Sequence, residues 1–294
     1  MDLKQYLKER KAIVDAALDR YLPPATDQPG VVHEAMRYST IDGGKRIRPI
    51  LTLAGCDAVG GRMEMAMPAA CALECIHAFS LIHDDLPCMD DDDLRRGRPT
   101  SHKVFGEAMA LLAGDALFAF AFQLISETPK DVASDVVLDV WRKIAEATGT
   151  NGMVGGQVMD MLAQGRPSSI PEIELIHRRK TGALLKVAIV TGGMLGGGSE
   201  EQVDALSCYG RNIGLAFQIA DDILDIKGDE KKLGKPIGSD LEMEKATYPS
   251  VIGIEKSMEL AKKAMDDAIA ALSIFDEKSD PLREIARFVV EREF

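Results

Sequence analysis

The chain has 294 residues, 46% hydrophobic, 28% charged and 5% aromatic, with 35 Lys and Arg against 47 Asp and Glu for a net charge of −12. An apolar fraction this high excludes a disordered chain, and the acidic balance excludes a general nucleic-acid binder. Five cysteines without a C-x-x-C pair suit reduced thiols and a cytoplasmic location.

In chain order, apolar residues recur at helical spacing and β-branched alternation is scarce, so helices are expected throughout. They are placed at 2–20, 30–38, 47–59, 68–86, 102–127, 131–147, 151–163, 171–191, 200–226, 248–272 and 279–292. Asp2, Glu9 and Asp15 in the first suit neither a signal nor a transit peptide. Pro23-Pro24 stops it, Pro68 suits the first turn of the fourth, and Gly192-Gly193 with Gly196 to Gly198 closes the eighth. The segment 108–126 is long enough to cross a membrane, but a central Asp115 costs about 2.5–3.5 kcal/mol there. A buried core helix is expected instead, with no membrane span. No low-complexity linker divides the chain, so one all-α domain over 1–294 is expected. The longest irregular stretch, 227–247, is rich in glycine, as functional loops often are.

Two acidic clusters close long apolar helices. In Asp221-Asp222-Ile-Leu-Asp225, the first and last Asp fall roughly 40° apart around a helix axis, and Gln218 joins the same stripe. Carboxylates at this spacing repel one another, so a cation is expected against them. In Asp84-Asp85-Leu-Pro-Cys-Met-Asp90, a straight helix would separate the ends. Pro87 disfavours helix at Leu86, so the chain is expected to curl back and return Asp90 towards Asp84. His77, Ser80 and Asp84 share one helix face. By contrast, Asp266-Asp267 has no third carboxylate in helical reach and reads as a solvated face. All-oxygen donors select hard cations, and Mg²⁺ typically combines one or two carboxylates with substrate phosphates. Cations for such phosphates lie in GGKRIRP at 43–49, in Arg95, Arg96 and Arg98, in Arg178-Arg179-Lys180, and in Lys235 and Lys245.

With GGKRIRP at 43–49, ECIHAFSLIHDDLPCMDDDDLRRGRPT at 74–100, KTGAL at 180–184 and FQIADDILD at 217–225, the chain resembles the trans short-chain polyprenyl diphosphate synthases. The likeness is nearest to bacterial farnesyl diphosphate synthases, with plastid-type geranylgeranyl diphosphate synthases next. It implies an all-α bundle of ten or more helices around a central cavity, a homodimer, and Mg²⁺-dependent condensation of isopentenyl diphosphate with allylic diphosphates. The resemblance implies that Asp84, Asp85, Asp90, Asp221, Asp222 and Asp225 hold two or three Mg²⁺ ions. Arg95, Lys180, Lys235 and Lys245 would contact the allylic diphosphate. Gly44, Lys45, Arg48, His77 and Arg96 would bind isopentenyl diphosphate, with Thr181 and Gln218 beside the reacting carbons. His77 is a ligand rather than a base in this reading, because the released diphosphate takes the proton. The 227–247 loop, with Lys235 and Lys245, would be a lid excluding water.

The resemblance implies that product length depends on Phe79 and Ser80, five and four residues before Asp84. One helical turn is about 5.4 Å, on the order of one isoprene unit. Phe79 matches the fifteen-carbon pattern, although Ser80 lies more directly below Asp84. Farnesyl diphosphate is therefore the expected product, with geranylgeranyl diphosphate the alternative. A terpene cyclase would lack the basic GGKRIRP segment, and a silent regulatory subunit would lose one of the Asp motifs.

Overall fold

The computed structural model describes residues 1–41, 43–227 and 247–291. Among them the helices are α1 (Leu3–Tyr21), α2 (Gly30–Thr40), α3 (Ile47–Ala58), α4 (Met63–Asp84), α5 (Ser101–Phe105), α6 (Glu107–Ser126) and α7 (Ser134–Thr148). They continue as α8 (Met153–Ala163), α9 (Ile170–His177), α10 (Ala183–Leu195), α11 (Glu200–Lys227), α12 (Tyr248–Ile252), α13 (Ile254–Ala271) and α14 (Asp280–Glu291). A π-helical turn, Arg178–Gly182, joins α9 to α10. The all-α expectation holds apart from a two-residue hairpin, β1 (Leu94–Arg95) against β2 (Arg98–Pro99), antiparallel with Arg95 opposite Arg98.

Local chemistry explains where the observed boundaries depart from the expected ones. The expected 102–127 and 248–272 helices are each broken, at Gly106 and Gly253, whose φ values of 80° and 82° no right-handed helix can contain. Helix α4 starts at Met63, with Pro68 inside it rather than opening it. Burial of Met65 and Met67 extends the helix upstream of the proline. Gly192 and Gly193 lie inside α10 instead of ending it. There α10 presses on α3 so closely that a Cβ on Gly192 would sit 1.9 Å from the Thr52 carbonyl oxygen.

The main apolar core draws on helices along most of the described chain, α3, α4 and α10 among them, and a smaller separate cluster joins Ile173 of α9, Ile219 and Ile223 of α11, Tyr248 of α12 and Ala261 of α13. Helix α4 is buried almost all round; Leu73, Cys75 and Ile76 are inaccessible. Helix α6 differs from the buried helix expected at 108–126. Ala110, Ala113, Leu117 and Ala121 pack inward, while Leu111, Leu112, Asp115 and Phe118 face outward. Only 39% of its apolar window is buried, against 83% for α4, although both are long and apolar enough to cross a membrane. Asp266 and Asp267 are exposed and lie near Lys262 and Lys263 on α13, as a solvated face should.

Candidate active site

A cavity of about 420 Å³ opens between α4, α8 and the π turn. Its wall includes Arg48, His77, Phe79, Ser80, Asp84 and Thr181, so α3, α4 and the π turn bring together residues from three separate sequence motifs.

The first acidic cluster curls as its sequence implies. Helix α4 ends at Asp84, and the Asp90 N–H donates to the Asp84 carbonyl oxygen at 2.9 Å, with the Asp91 N–H on the Leu86 carbonyl at 3.2 Å. Burial, then the Asp90 and Asp85 charges, pushes the Asp84 carboxyl up to about 6, against the pull of Lys180 and Arg95. A carboxylate held this way gains from a bound cation.

Asp85 does not face the cavity beside Asp84. It points 100° further round the helix, is 3% exposed, and lines a narrow cleft outside the cavity. Arg95 Nε donates to its Oδ1 at 2.6 Å. The hairpin makes this pairing possible: Arg96 and Gly97 take φ values of 56° and 76° at its turn, which carries Arg95 back over Asp85. Arg95 also donates to Asp92 at 3.0 Å, so it is engaged by carboxylates rather than presented to the cavity.

The GGKRIRP segment divides its cations between two tasks. Arg46, with φ 53°, is buried and structural: Nε donates to Asp15 at 2.7 Å, Nη1 to Glu74 at 2.7 Å and Nη2 to the Ile41 carbonyl at 2.8 Å. Two residues on, Arg48 faces the cavity, and its Nε is buried without a partner among the described residues. Burial, then Arg48 and Arg96, drives the His77 imidazole well below its usual pKa, so His77 is neutral. The Arg96 guanidinium lies against Gly44, where a Cβ would come within 2.8 Å of Nη1. Lys45 is exposed at the loop surface. A buried orphan donor beside Arg96 and neutral His77 suits an anionic oxygen.

Lys180 and Thr181 reach the cavity from the π turn. Lys180 Nζ donates to Asp160 Oδ2 at 2.7 Å. Burial alone would lower the Lys180 ammonium, but Asp160, with Asp84 and Asp90, holds it above its ordinary value. Asp160 and Gln157 on α8 were not anticipated from sequence, nor was the apolar wall of Met153, Val154, Val158 and Met161. Their signal resembles that of the acidic stripes: two polar residues three apart in an otherwise apolar helix. The Gln157 Oε1 is also buried without a partner.

The second acidic cluster is not presented as a unit. Asp221 is half-buried and within electrostatic reach of Arg48. Asp222 is 5% exposed, and its Oδ2 accepts the Tyr248 N–H at 3.0 Å, which anchors α12 to α11. Asp222 and Asp225 line a different cavity, of about 540 Å³, beside α12 and α13. The cation expected against this stripe is not His177. It lies 3.8 Å from Asp222, but burial takes its pKa down to about 4. Gln218 is half-buried on α11 and does not join the wall of the 420 Å³ cavity. Lys235 and Lys245, and the expected lid across 227–247, lie outside the described residues apart from its two ends.

An aromatic row runs outward from the cavity wall at Phe79. Phe79 meets His83 edge-on at 5.3 Å and Phe118 of α6 at 5.2 Å; Phe118 meets Phe122, and Phe122 meets Trp141 of α7. His83, expected to be a core or supporting histidine, has its Nε2 3.0 Å from the Leu111 carbonyl. Ser80, the residue one turn below Asp84, folds its hydroxyl back onto the His77 carbonyl at 2.9 Å. The space beneath Asp84 is therefore bordered by a small side chain, with Phe79 drawn towards α6.

Comparison with known proteins identifies the family. Residues 29–284 match the family model described as Polyprenyl synthetase. The chain is 48% identical over 292 residues to a geranylgeranyl diphosphate synthase of Cyanophora paradoxa, covering 99% of this chain and 97% of that protein. Its structure is similar to an FPP/GFPP synthase from Zymomonas mobilis, with TM-score 0.87, 41% identity and coverage of 98% and 99% of the two chains. It is also similar to geranylgeranyl pyrophosphate synthetase from Pyrococcus horikoshii Ot3, with TM-score 0.90, 34% identity and coverage of 99% of each chain.

Proposed function

This chain belongs to the polyprenyl synthetase family and is a prenyltransferase, and from that premise we propose that it condenses isopentenyl diphosphate with allylic diphosphates to make geranylgeranyl diphosphate. The observation that carries the twenty-carbon reading is Ser80 beneath Asp84, with Phe79 held aside against Phe118. The names of similar proteins, one at 48% identity over nearly the whole chain, support the same reading over the farnesyl product expected from Phe79 alone.

The donor set suits Mg²⁺, but with fewer carboxylates than the six expected. Asp84, Asp90 and Asp221 are the oxygen ligands offered for it, because Asp85 is engaged by Arg95, Asp222 by the Tyr248 N–H, and Asp225 lines the separate cavity beside α12 and α13. When bound, Mg²⁺ neutralises the departing diphosphate. Lys180 adds a second positive charge on that side, held in place by Asp160. Across the cavity, Arg48 holds the isopentenyl diphosphate, with neutral His77 available for a hydrogen bond and Arg96, in the adjoining cleft, adding positive charge behind them. Thr181 and the apolar wall of α8 keep water from the allylic cation, and diphosphate accepts the proton that is lost.

A second reading, farnesyl diphosphate, is favoured by one observation: Phe79 still lines the cavity. Product analysis separates the two. Purified protein, Mg²⁺, isopentenyl diphosphate and each allylic starter are expected to give mainly twenty-carbon product by mass spectrometry, and EDTA is expected to stop turnover. Fifteen-carbon product that lengthens in Phe79→Ala would establish the second reading. No elongation from any starter would overturn both.

The same reading includes a homodimer in the cytoplasm. The outward apolar face of α6, with Leu111, Leu112 and Phe118, continues onto Leu138 and Trp141 of α7. A face this apolar and continuous is matched in chemistry by a second copy of itself. Light scattering on the native chain is expected to give twice the monomer mass, and Leu112→Glu with Phe118→Glu is expected to give monomer. A native monomer at micromolar concentration would refute the dimer. All five thiols are free, which suits a reducing compartment.

A further inference from the structure

A third cavity, of about 610 Å³, lies on the other side of the π turn from Lys180 and Thr181. Arg178 and Arg179 of the turn, Lys186 of α10 and Arg211 of α11 line it, with Asn212 as a further polar group. In a chain of net charge −12, four cations converging on one concavity are out of proportion. Among the described residues, none of the four has a carboxylate within ion-pair distance. The nearest polar contacts of the arginines are Arg179 Nη1 to Met159 Sδ at 3.6 Å and Arg211 Nη1 to Ser207 Oγ at 3.4 Å. Glu174 is the one acid in the lining, and it bridges to none of them. Burial, then Arg211, Lys143 and Arg178, lowers the Lys186 ammonium, as an uncompensated positive field should.

We propose that this cavity is a second anion site that takes a diphosphate group, separate from the catalytic cavity and joined to it through the π turn. Three arginine forks and a lysine on a concave wall match the oxygens of a diphosphate better than a single phosphate. The lining between them, Gly182, Ala183 and Leu215, is apolar enough to accept a short hydrocarbon tail. The diphosphate can therefore be inorganic or carried by a prenyl chain. Arg178 and Arg179 immediately precede Lys180, so an anion that fixes the two arginines also fixes the turn presenting Lys180. π turns are single wide turns within helices and frequently mark functional positions.

The test is calorimetric titration of the full-length chain with inorganic diphosphate, at low salt and in EDTA, so that it does not depend on turnover. Arg48→Ala serves as the background that weakens the catalytic cavity. Arg48→Ala is expected to bind one diphosphate per chain, and adding Lys186→Ala with Arg211→Ala is expected to weaken that binding at least about tenfold. Adding Lys186→Arg with Arg211→Lys instead is expected to retain it. If the alanine variant does not fold, Arg178→Gln with Arg211→Gln, both at exposed positions, carries the same expectation. A parallel titration with geranyl diphosphate identifies the source: tighter binding than inorganic diphosphate assigns a prenyl-borne group, and equal binding assigns the free anion. No binding to Arg48→Ala, or equal affinity after Lys186 and Arg211 are removed, overturns the proposal.

Discussion

Asp84→Asn is expected to lower kcat/KM on the order of 10²–10³-fold at saturating Mg²⁺, measured as incorporation of labelled isopentenyl diphosphate. The substitution keeps the shape of the side chain and removes its charge. Asp84 lies in the cavity wall at the end of α4, with Asp90 returned to it by the 2.9 Å backbone bond. Its carboxyl, raised to about 6 by burial and then by Asp90 and Asp85, is destabilised in the charged form unless a cation compensates it. On the proposed reading, removing that charge removes one of the Mg²⁺ ligands. Asp85→Asn is the control. It weakens the 2.6 Å bond to Arg95 but leaves the cavity wall intact, so kcat is expected to fall less than about tenfold while the melting temperature drops. Equal losses of activity in the two variants would return Asp85 to the metal set.

Arg46→Ala is expected to destabilise the fold by about 3–5 kcal/mol, the usual cost of breaking a buried ion pair from one side. For a chain of this size that corresponds to a drop in Tm on the order of 10 °C, read by calorimetry. Arg46 is 2% exposed and its partner Glu74 is 3% exposed. Their 2.7 Å contact joins the loop before α3 to the middle of α4. Without the guanidinium, the Glu74 charge has no partner there and Asp15 loses a second contact. Replacing both members by Met removes the stranded charge, so Arg46→Met with Glu74→Met is expected to recover most of the lost stability. A single variant that melts like the native chain would show that the pair contributes nothing. Activity should fall together with stability in Arg46→Ala, because the same residue sets the backbone from which Arg48 reaches the cavity.

Much of the fold was legible because helices declare themselves locally. Apolar spacing and the prolines placed nearly every helix, and Pro87 foretold the turn that returns Asp90 to Asp84. The boundaries that shifted depend on information outside the local pattern. Gly192 reads as a helix end until α3 is seen against it, close enough that only a hydrogen fits. Gly106 and Gly253 look like tolerable helix glycines until their backbone angles are known. Helix α6 reads as buried because hydropathy is blind to direction, and only packing separates Leu117 inside from Phe118 outside.

The sequence by itself determined the family, the all-α class and the carboxylates and cations that chemistry with diphosphates requires, since residue type and spacing carry that information along a single strand. Tertiary structure decided which of them face the cavity. Asp84 and Asp85 are adjacent, yet helix geometry turns one to the cavity and gives the other to Arg95. Asp222 shares its motif with Asp221 but is committed to the Tyr248 N–H. Arg46 and Arg48 are two residues apart, and one is a buried strut while the other leaves an unpaired donor for substrate. Direction and partner are properties of the packed chain, because each depends on where a distant segment comes to rest.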